Sequence, residues 1–180
     1  LREEDDFLEH LAAEWLRAAG YRTGFIGQWD LGDFESATAP HRRGFETVVA
    51  YGNRDHARNL YTSHLYRKDP HTGFEGSVPL AGNHGGRRET YLPDLLTQAA
   101  VRYCRQNKPE VLNQHRPFFL VVSYPVPAAV SARSGPVPPY EAYAGRDWPA
   151  FQRRRADAIS RLDAHVGEIV GELEKRGMAL

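Results

Sequence analysis

The sequence predicts an α/β fold: a mostly parallel sheet flanked by helices. Three observations carry this reading. Two short runs, Thr23–Ile26 and Phe118–Tyr124, are rich in residues that suit strands. Three longer stretches place apolar residues at helical spacing around them. The resulting order of helix, strand, helix, strand, helix is the grammar of an α/β sheet. The segments between the strands are long enough for the crossovers that parallel pairing requires.

The first helix is expected over Phe7–Ala19. Phe7, Leu8, Leu11, Ala12, Trp15, Leu16 and Ala19 make one apolar stripe. Asp6 followed by Glu9 has the spacing of an N-cap with a reciprocal carboxylate. Gly20 ends the helix, because glycine takes the left-handed conformation cheaply. Tyr21–Gly27 then reads as a short strand segment. From about residue 32 to residue 88 no period is sustained, and turn signals recur at Tyr51-Gly52-Asn53, Asp69-Pro70 and Gly82-Asn83. This region is read as long functional or wrapping loop. A helix follows over Thr90–Arg105, capped by Thr90, with Leu92, Leu95, Leu96, Ala99 and Tyr103 as its stripe. Phe118–Tyr124 is apolar on both faces, as a central parallel strand covered by helices would be. A proline-rich loop spans 125–149. The last helix, Phe151–Arg176, carries Ile159, Leu162, Val166, Ile169 and Leu173 in steps of three and four, and Gly177 closes it. The whole chain, 1–180, reads as one domain.

Composition removes several function classes. Lys+Arg and Asp+Glu are both 23, which gives no basic excess for nucleic acid. No apolar run approaches the roughly 18 residues of a membrane span. The single cysteine, Cys104, excludes an internal disulfide and a cysteine zinc cluster. The charged opening residues do not form a signal peptide, which leaves the compartment open.

Gly20-Tyr21-Arg22-Thr23-Gly24-Phe25-Ile26-Gly27-Gln28-Trp29-Asp30-Leu31-Gly32 resembles the sulfatase family of the alkaline-phosphatase superfamily, which reads Gly-Tyr-x-Thr-x-x-Ile-Gly-Lys-Trp-His-Leu-Gly here. Further matches follow in order: Arg43-Gly44-Phe45-Glu46, Tyr91-Leu92-Pro93-Asp94-Leu95-Leu96-Thr97, Arg116-Pro117-Phe118-Phe119-Leu120, and Arg161-Leu162-Asp163-Ala164-His165-Val166-Gly167. The resemblance runs from about residue 7 to the end. It implies a partial sheet of the alkaline-phosphatase and sulfatase kind, incomplete at both ends.

The family hydrolyses sulfate esters, using calcium and a formylglycine nucleophile made within Cys/Ser-x-Pro/Ala-x-Arg. Charge that develops on the sulfuryl oxygens must meet cations and donors already aimed at it. Measured against that pattern, this chain departs where the chemistry matters. Gln28 stands where the family has its sulfate-binding lysine, and Asp30 where it has a histidine. An ionised aspartate there repels sulfate. Ala128 stands where the resemblance places a further histidine, after Pro125-Val126-Pro127. The nucleophile motif belongs upstream of the first helix, before this chain begins. Neither calcium ligands nor a formylglycine site are assigned to these residues; Asp5-Asp6 is read as capping, not ligation. The site is therefore expected to have no intact catalytic group and no metal. Gln28, Arg42 and Arg43 remain as weak candidates for binding an anion.

Other residues receive structural readings. Cys104 lies in a helical stripe and reads as an inert, buried thiol. His41, His56, His64, His71, His84 and His115 read as solvated; His10 and His165 as packing-edge residues. Trp29 reads as a packing anchor, and Arg153-Arg154-Arg155 as a solvated face. Three functional readings follow from the resemblance. One is a sulfatase-like domain that is inactive as it stands. A second is an internal piece of a working sulfatase, with flanking sequence supplying nucleophile and metal. The third is a module that binds sulfated or phosphorylated small molecules or glycans without cleaving them. Strands left unpaired would favour self-association or association with a missing segment.

Overall fold

The computed structural model describes residues 11–111, 114–131 and 135–178. Its frame is a five-stranded sheet in the order β4-β3-β2-β1-β5. The strands are β1 (Arg22–Gly27), β2 (Thr47–Ala50), β3 (His64–Asp69), β4 (Phe74–Pro79) and β5 (Phe118–Ser123). β1 pairs in parallel with β2 and with β5, in registers that run from Arg22 opposite Phe118 to Gly27 opposite Ser123. The two strands expected to share one parallel sheet are thus direct neighbours. β3 and β4 add an antiparallel hairpin beyond β2.

Helix α1 (Ala12–Ala18) covers one face. α2 (Arg54–Ala57) is a single turn after β2, and α3 (Leu92–Gln106) and α4 (Ala150–Lys175) cover the other face. Side chains alternate across β1 and β5 as the pleat requires. Phe25 joins Ala13, Trp29, Phe45 and Val48 in the cluster under α1, with Phe119 and Val121 packed against it. Ile26 joins Tyr51, Leu92, Leu96 and Tyr103 in the cluster under α3, packed by Phe118, Leu120 and Val122. A third cluster, of Leu60, Tyr61, Tyr91, Val126, Val130, Val137 and Ala158, closes the sheet at the carboxyl ends of its parallel strands.

Four expectations are corrected. The region read as loop from 32 to 88 holds β2, β3 and β4. β2 is only four residues long, and the hairpin hides behind Gly76, Pro79 and a polar, half-exposed alternation. β5 lies at the edge of the sheet and is half-buried along its length, not central. Thr90 does not cap α3; Tyr91 holds the N-cap position, while the Thr90 amide donates to the buried Asn83 side chain at 2.9 Å. On α4 the inward line includes Ala158, His165 and Glu172, whereas Ile159 and Val166, each 49% exposed, face out. The expected Asp6 cap lies outside the described residues; the Glu14 carboxylate accepts from the Leu11 amide at 2.7 Å instead. Gly177 does close α4: its N–H and that of Met178 donate to Glu174 and Leu173, with Gly177 at φ 65°. Among the described residues, no helix is long and apolar enough to cross a membrane.

The segments quoted above turn out to be joints of this frame. The buried Thr23 hydroxyl donates to the Gly44 carbonyl at 2.6 Å and accepts from the Glu46 amide at 3.1 Å. Phe45 packs on Phe25 and Trp29 with ring centres 5.4 and 6.0 Å apart. Arg116 donates to the Gly20 carbonyl at 2.8 Å and ties the approaches to β5 and β1 together.

α3 and α4 run side by side in the same direction, stitched at both ends of α3. At the C-terminal stitch Arg105 donates to both Glu172 carboxylate oxygens at 3.0 Å, and Arg176 bonds the same carboxylate. The Arg105 bonds, then those of Arg176, pull the Glu172 carboxyl from 4.5 to about 2. A carboxyl depressed by folding stabilises fully above its unfolded value, and that contribution fades as pH falls toward the folded one. Glu172→Gln is expected to flatten the loss of stability between pH 4.5 and about 2. Urea titrations at stepped pH check this; parallel profiles for both proteins would refute it.

Candidate functional site

β1, β2 and β5 run in one direction, so their carboxyl ends meet at one edge. Open α/β sheets bind ligands in the crevice outside such ends. Gly27 sets the local geometry. A Cβ at this position would sit 1.9 Å from the Ser123 carbonyl oxygen, and its φ is +121°, a conformation open to glycine. This close approach lets the Gln28 amide donate to Ser123 O at 2.8 Å. The Gln28–Asp30 loop therefore leaves the sheet beside the turn that follows β5.

There Gln28 and Asp30 satisfy each other. The Gln28 side-chain Nε2 donates to the two Asp30 carboxylate oxygens at 2.9 and 3.0 Å. The amide that could face an anion is thus held by a neighbouring negative charge. Trp29 turns inward, 7% exposed, and its indole N–H donates to the Thr38 carbonyl at 2.9 Å; it anchors the loop as expected. Beside the loop lies a shallow hollow of about 360 Å³, lined by Asp30, Asp33, Asn53, Arg54 and Asp55 among others. Carboxylates outnumber the Arg54 guanidinium there, and the Asn53 side-chain Oδ1 caps α2 by accepting from the His56 amide. Sequence reasoning missed Arg54, Asn53, Asp33 and Asp55. A four-residue helix has too little period to announce itself; only the Gly52-Asn53 turn signal marked the place.

Ala128 shares this edge, exposed in the turn after β5 and next to the cis Val126–Pro127 bond, and offers only a methyl group. Arg42 and Arg43 are not brought to Gln28. Arg43 pairs with Glu14 of α1 at 3.2 Å. Arg42 lines a separate hollow with Glu14, Arg17, Ala18 and Gly44, near the start of β1. His64, His71, His84 and His115 are exposed as expected, whereas His41 and His56 differ from the solvated reading. His56 stacks on His64 with ring centres 4.4 Å apart, and its Nδ1 accepts from the Gly52 amide. Burial, then His64, lowers His56 to about 4, so it is neutral at physiological pH. The His41 side chain is 9% exposed and stacks on Tyr66.

Cys104 is buried in α3 and its thiol is pushed up to about 11, first by burial and then by Glu172. The thiolate is the reactive form, so a disulfide-exchange reagent is expected to leave native Cys104 unmodified near pH 8 and to label it fully in denaturant. Rapid labelling of the folded chain would contradict this. Among the described residues no group of three or more His, Cys, Asp or Glu side chains converges to hold an ion.

A second polar network joins the first turn of α3 to the middle of α4. Arg161 donates to both Asp94 oxygens at 3.0 and 2.9 Å, and His165 Nε2 lies 2.8 Å from the same carboxylate. Burial alone would raise the Asp94 carboxyl; the bonds from His165 and Arg161 overcome it and hold it below its usual value. The Tyr91 ring lies under Arg161 and the Tyr124 ring stacks on His165. His165, read as a packing-edge residue, is instead buried and bonded to Asp94.

An open, mostly parallel sheet between helical layers defines an α/β domain. A family model described as Sulfatase matches residues 9–179, and the chain belongs to that family. It is 30% identical to N-acetylgalactosamine-6-sulfatase of Sus scrofa over 171 residues, which is 92% of this chain and 29% of that protein. It is 28% identical to the Mus musculus protein of the same name, over 95% of this chain and 31% of the relative. The chain thus spans under a third of the curated relatives it matches. Among solved structures, PsFucS1 sulfatase from Pseudoalteromonas sp. is similar with a TM-score of 0.64 at 19% identity, covering 94% of this chain and 35% of that one. Ps i-CgsB in complex with k-i-k-neocarrahexaose is similar with a TM-score of 0.58 at 18% identity, covering 92% and 36%.

Proposed function

We propose that this sulfatase-family domain does not cleave sulfate esters by itself and serves to engage a sulfated ligand, a glycan foremost. The observation that carries the first half is the Gln28–Asp30 pair. At the position where the family pattern sets lysine and histidine, a neutral amide is bound to a carboxylate. Removing one preorganised donor from such a site costs about 100–1000-fold in rate. Here two are altered, one to the wrong sign, and the adjoining hollow is acidic. The glycan half draws on the relatives' names and on the k-i-k-neocarrahexaose complex of a similar structure.

The test is an assay of 4-nitrophenyl sulfate with added calcium at high protein concentration. No turnover above background is expected. Turnover that survives purification and disappears on changing Gln28 or Asp30 overturns the reading. A second reading has one finding in its favour: the chain spans under a third of its curated relatives. Sequence outside it can therefore supply the nucleophile and metal of a sulfatase. Activity that appears only when such flanking segments are joined to this chain selects that reading.

A further inference from the structure

The loop that leads into α4 carries a feature the site above does not use. Tyr140, Trp148 and Phe151 are 37%, 40% and 44% exposed, and they fall within twelve residues of one another. Isolated exposed aromatics are ordinary, but a contiguous group marks an interaction surface. Tyr140 and Trp148 are joined through Tyr143: Tyr140 to Tyr143 measures 6.1 Å between centres and Tyr143 to Trp148 5.6 Å, with interplanar angles of 36° and 31°. The loop is also fixed in place. The Tyr143 hydroxyl lies 2.9 Å from that of Ser160, and the Tyr140 amide donates to the buried Asp157 carboxylate at 3.0 Å. Both anchors are on α4, so the ring row is pinned to a rigid element.

Positive charge rims the row. The Arg146 guanidinium lies 6.0 Å from the Trp148 ring centre, and Arg155 lies 5.8 Å from that of Phe151. Arg153 reaches back to the Arg146 carbonyl. Glu141 and Asp147 are the carboxylates among residues 140–148. The basic run that opens α4 thus borders an aromatic face.

We propose that the Tyr140–Tyr143–Trp148 face, with Arg146, Arg153 and Arg155, binds a sulfated oligosaccharide. The rings take the apolar faces of successive pyranoses; the arginines take sulfate oxygens, which suit the planar guanidinium fork. Its residues are distinct from those of the hollow beside Asp30, where Arg54 is outnumbered by carboxylates. The inference rests on the reading above only for the ligand class, a sulfated glycan.

The experiment is calorimetric titration of the full chain with chondroitin 6-sulfate hexasaccharide and with its unsulfated counterpart. Binding of the sulfated probe is expected. Trp148→Ala is expected to weaken it on the order of tenfold, as loss of an aromatic contact does. The double variant Arg146→Gln/Arg153→Gln should weaken the sulfated probe while leaving the unsulfated one unchanged. Thermal melts show whether each variant remains folded, and the arginine pair keeps the test open if Trp148→Ala does not. Failure of the wild-type chain to bind, or equal binding by all variants, overturns the proposal. So does equal, Trp148-dependent binding to phosphatidylserine vesicles, which would make the face a membrane surface. Turnover of 4-nitrophenyl sulfate by the wild-type chain, with hexasaccharide binding still weakened in Trp148→Ala, overturns the non-cleaving reading and leaves this face standing. No turnover, with binding indifferent to Trp148 and the arginines, does the reverse.

Discussion

A methyl group added at Gly27 is expected to prevent the domain from folding. The Cβ of Gly27→Ala would lie 1.9 Å from the Ser123 carbonyl oxygen and 2.7 Å from its carbon, and the residue holds φ at +121°. Both clashing partners are backbone of the paired strand, so no side chain can swing aside. Relief requires β1 and β5 to separate, which breaks the register from Arg22 to Gly27. Losses above about 4 kcal/mol are exceptional for one substitution and arise from strain of this kind. They approach the whole stability of a domain, about 5–15 kcal/mol. Circular dichroism and thermal melting of the purified variant decide it. A cooperative melt within a few degrees of the wild-type chain would show that the strand ends yield more easily than the geometry allows.

Asp94→Ala is expected to produce the second largest effect. Two partners depend on this carboxylate: Arg161, through both oxygens, and the buried His165. Breaking a fully buried pair by removing one partner costs about 3–5 kcal/mol. The Asp94 side chain is 35% exposed, so water offsets part of the loss and about 2 kcal/mol is expected. For a domain of this size that lowers the melting midpoint by about 4–8 °C. Urea unfolding with an unchanged slope would confirm that stability, not compactness, has changed. An Asp94→Ala protein as stable as the wild-type chain would mean that packing alone aligns α3 with α4.

These two positions show which parts of the molecule can be read from sequence. β1 and β5 were legible because their apolar runs are local and their glycine stop is specific. The β3–β4 hairpin was not, because its stabilising pairs form only across strands. The Lys68 ammonium and the Tyr66 hydroxyl both reach Glu75 at 2.7 Å, seven and nine residues away. The inward face of α4 escaped for a related reason. His165 and Glu172 are buried because Asp94 and two arginines satisfy them, and a hydrophobic period cannot register satisfied polar groups. At the site, the resemblance marked Gln28 and Asp30 as altered positions. It could not show that they bond each other, or that Arg42 and Arg43 lie elsewhere beside Glu14 and Arg17.

The tie between Arg116 and Gly20 spans 96 residues of chain, and it dictates when the sheet can be finished. Closing a flexible loop of that length costs about 4 kcal/mol of entropy before any strand contact repays it. Such distant pairing slows folding. During synthesis β1 can find β2 early, since the two are close in sequence, and the β3–β4 hairpin can form next. The other flank of β1 stays open until residues 118–123 have left the ribosome. For that interval Phe25 and Ile26, both nearly inaccessible in the finished domain, border an unpaired edge, and the nascent chain is at its most vulnerable to pairing with a neighbour.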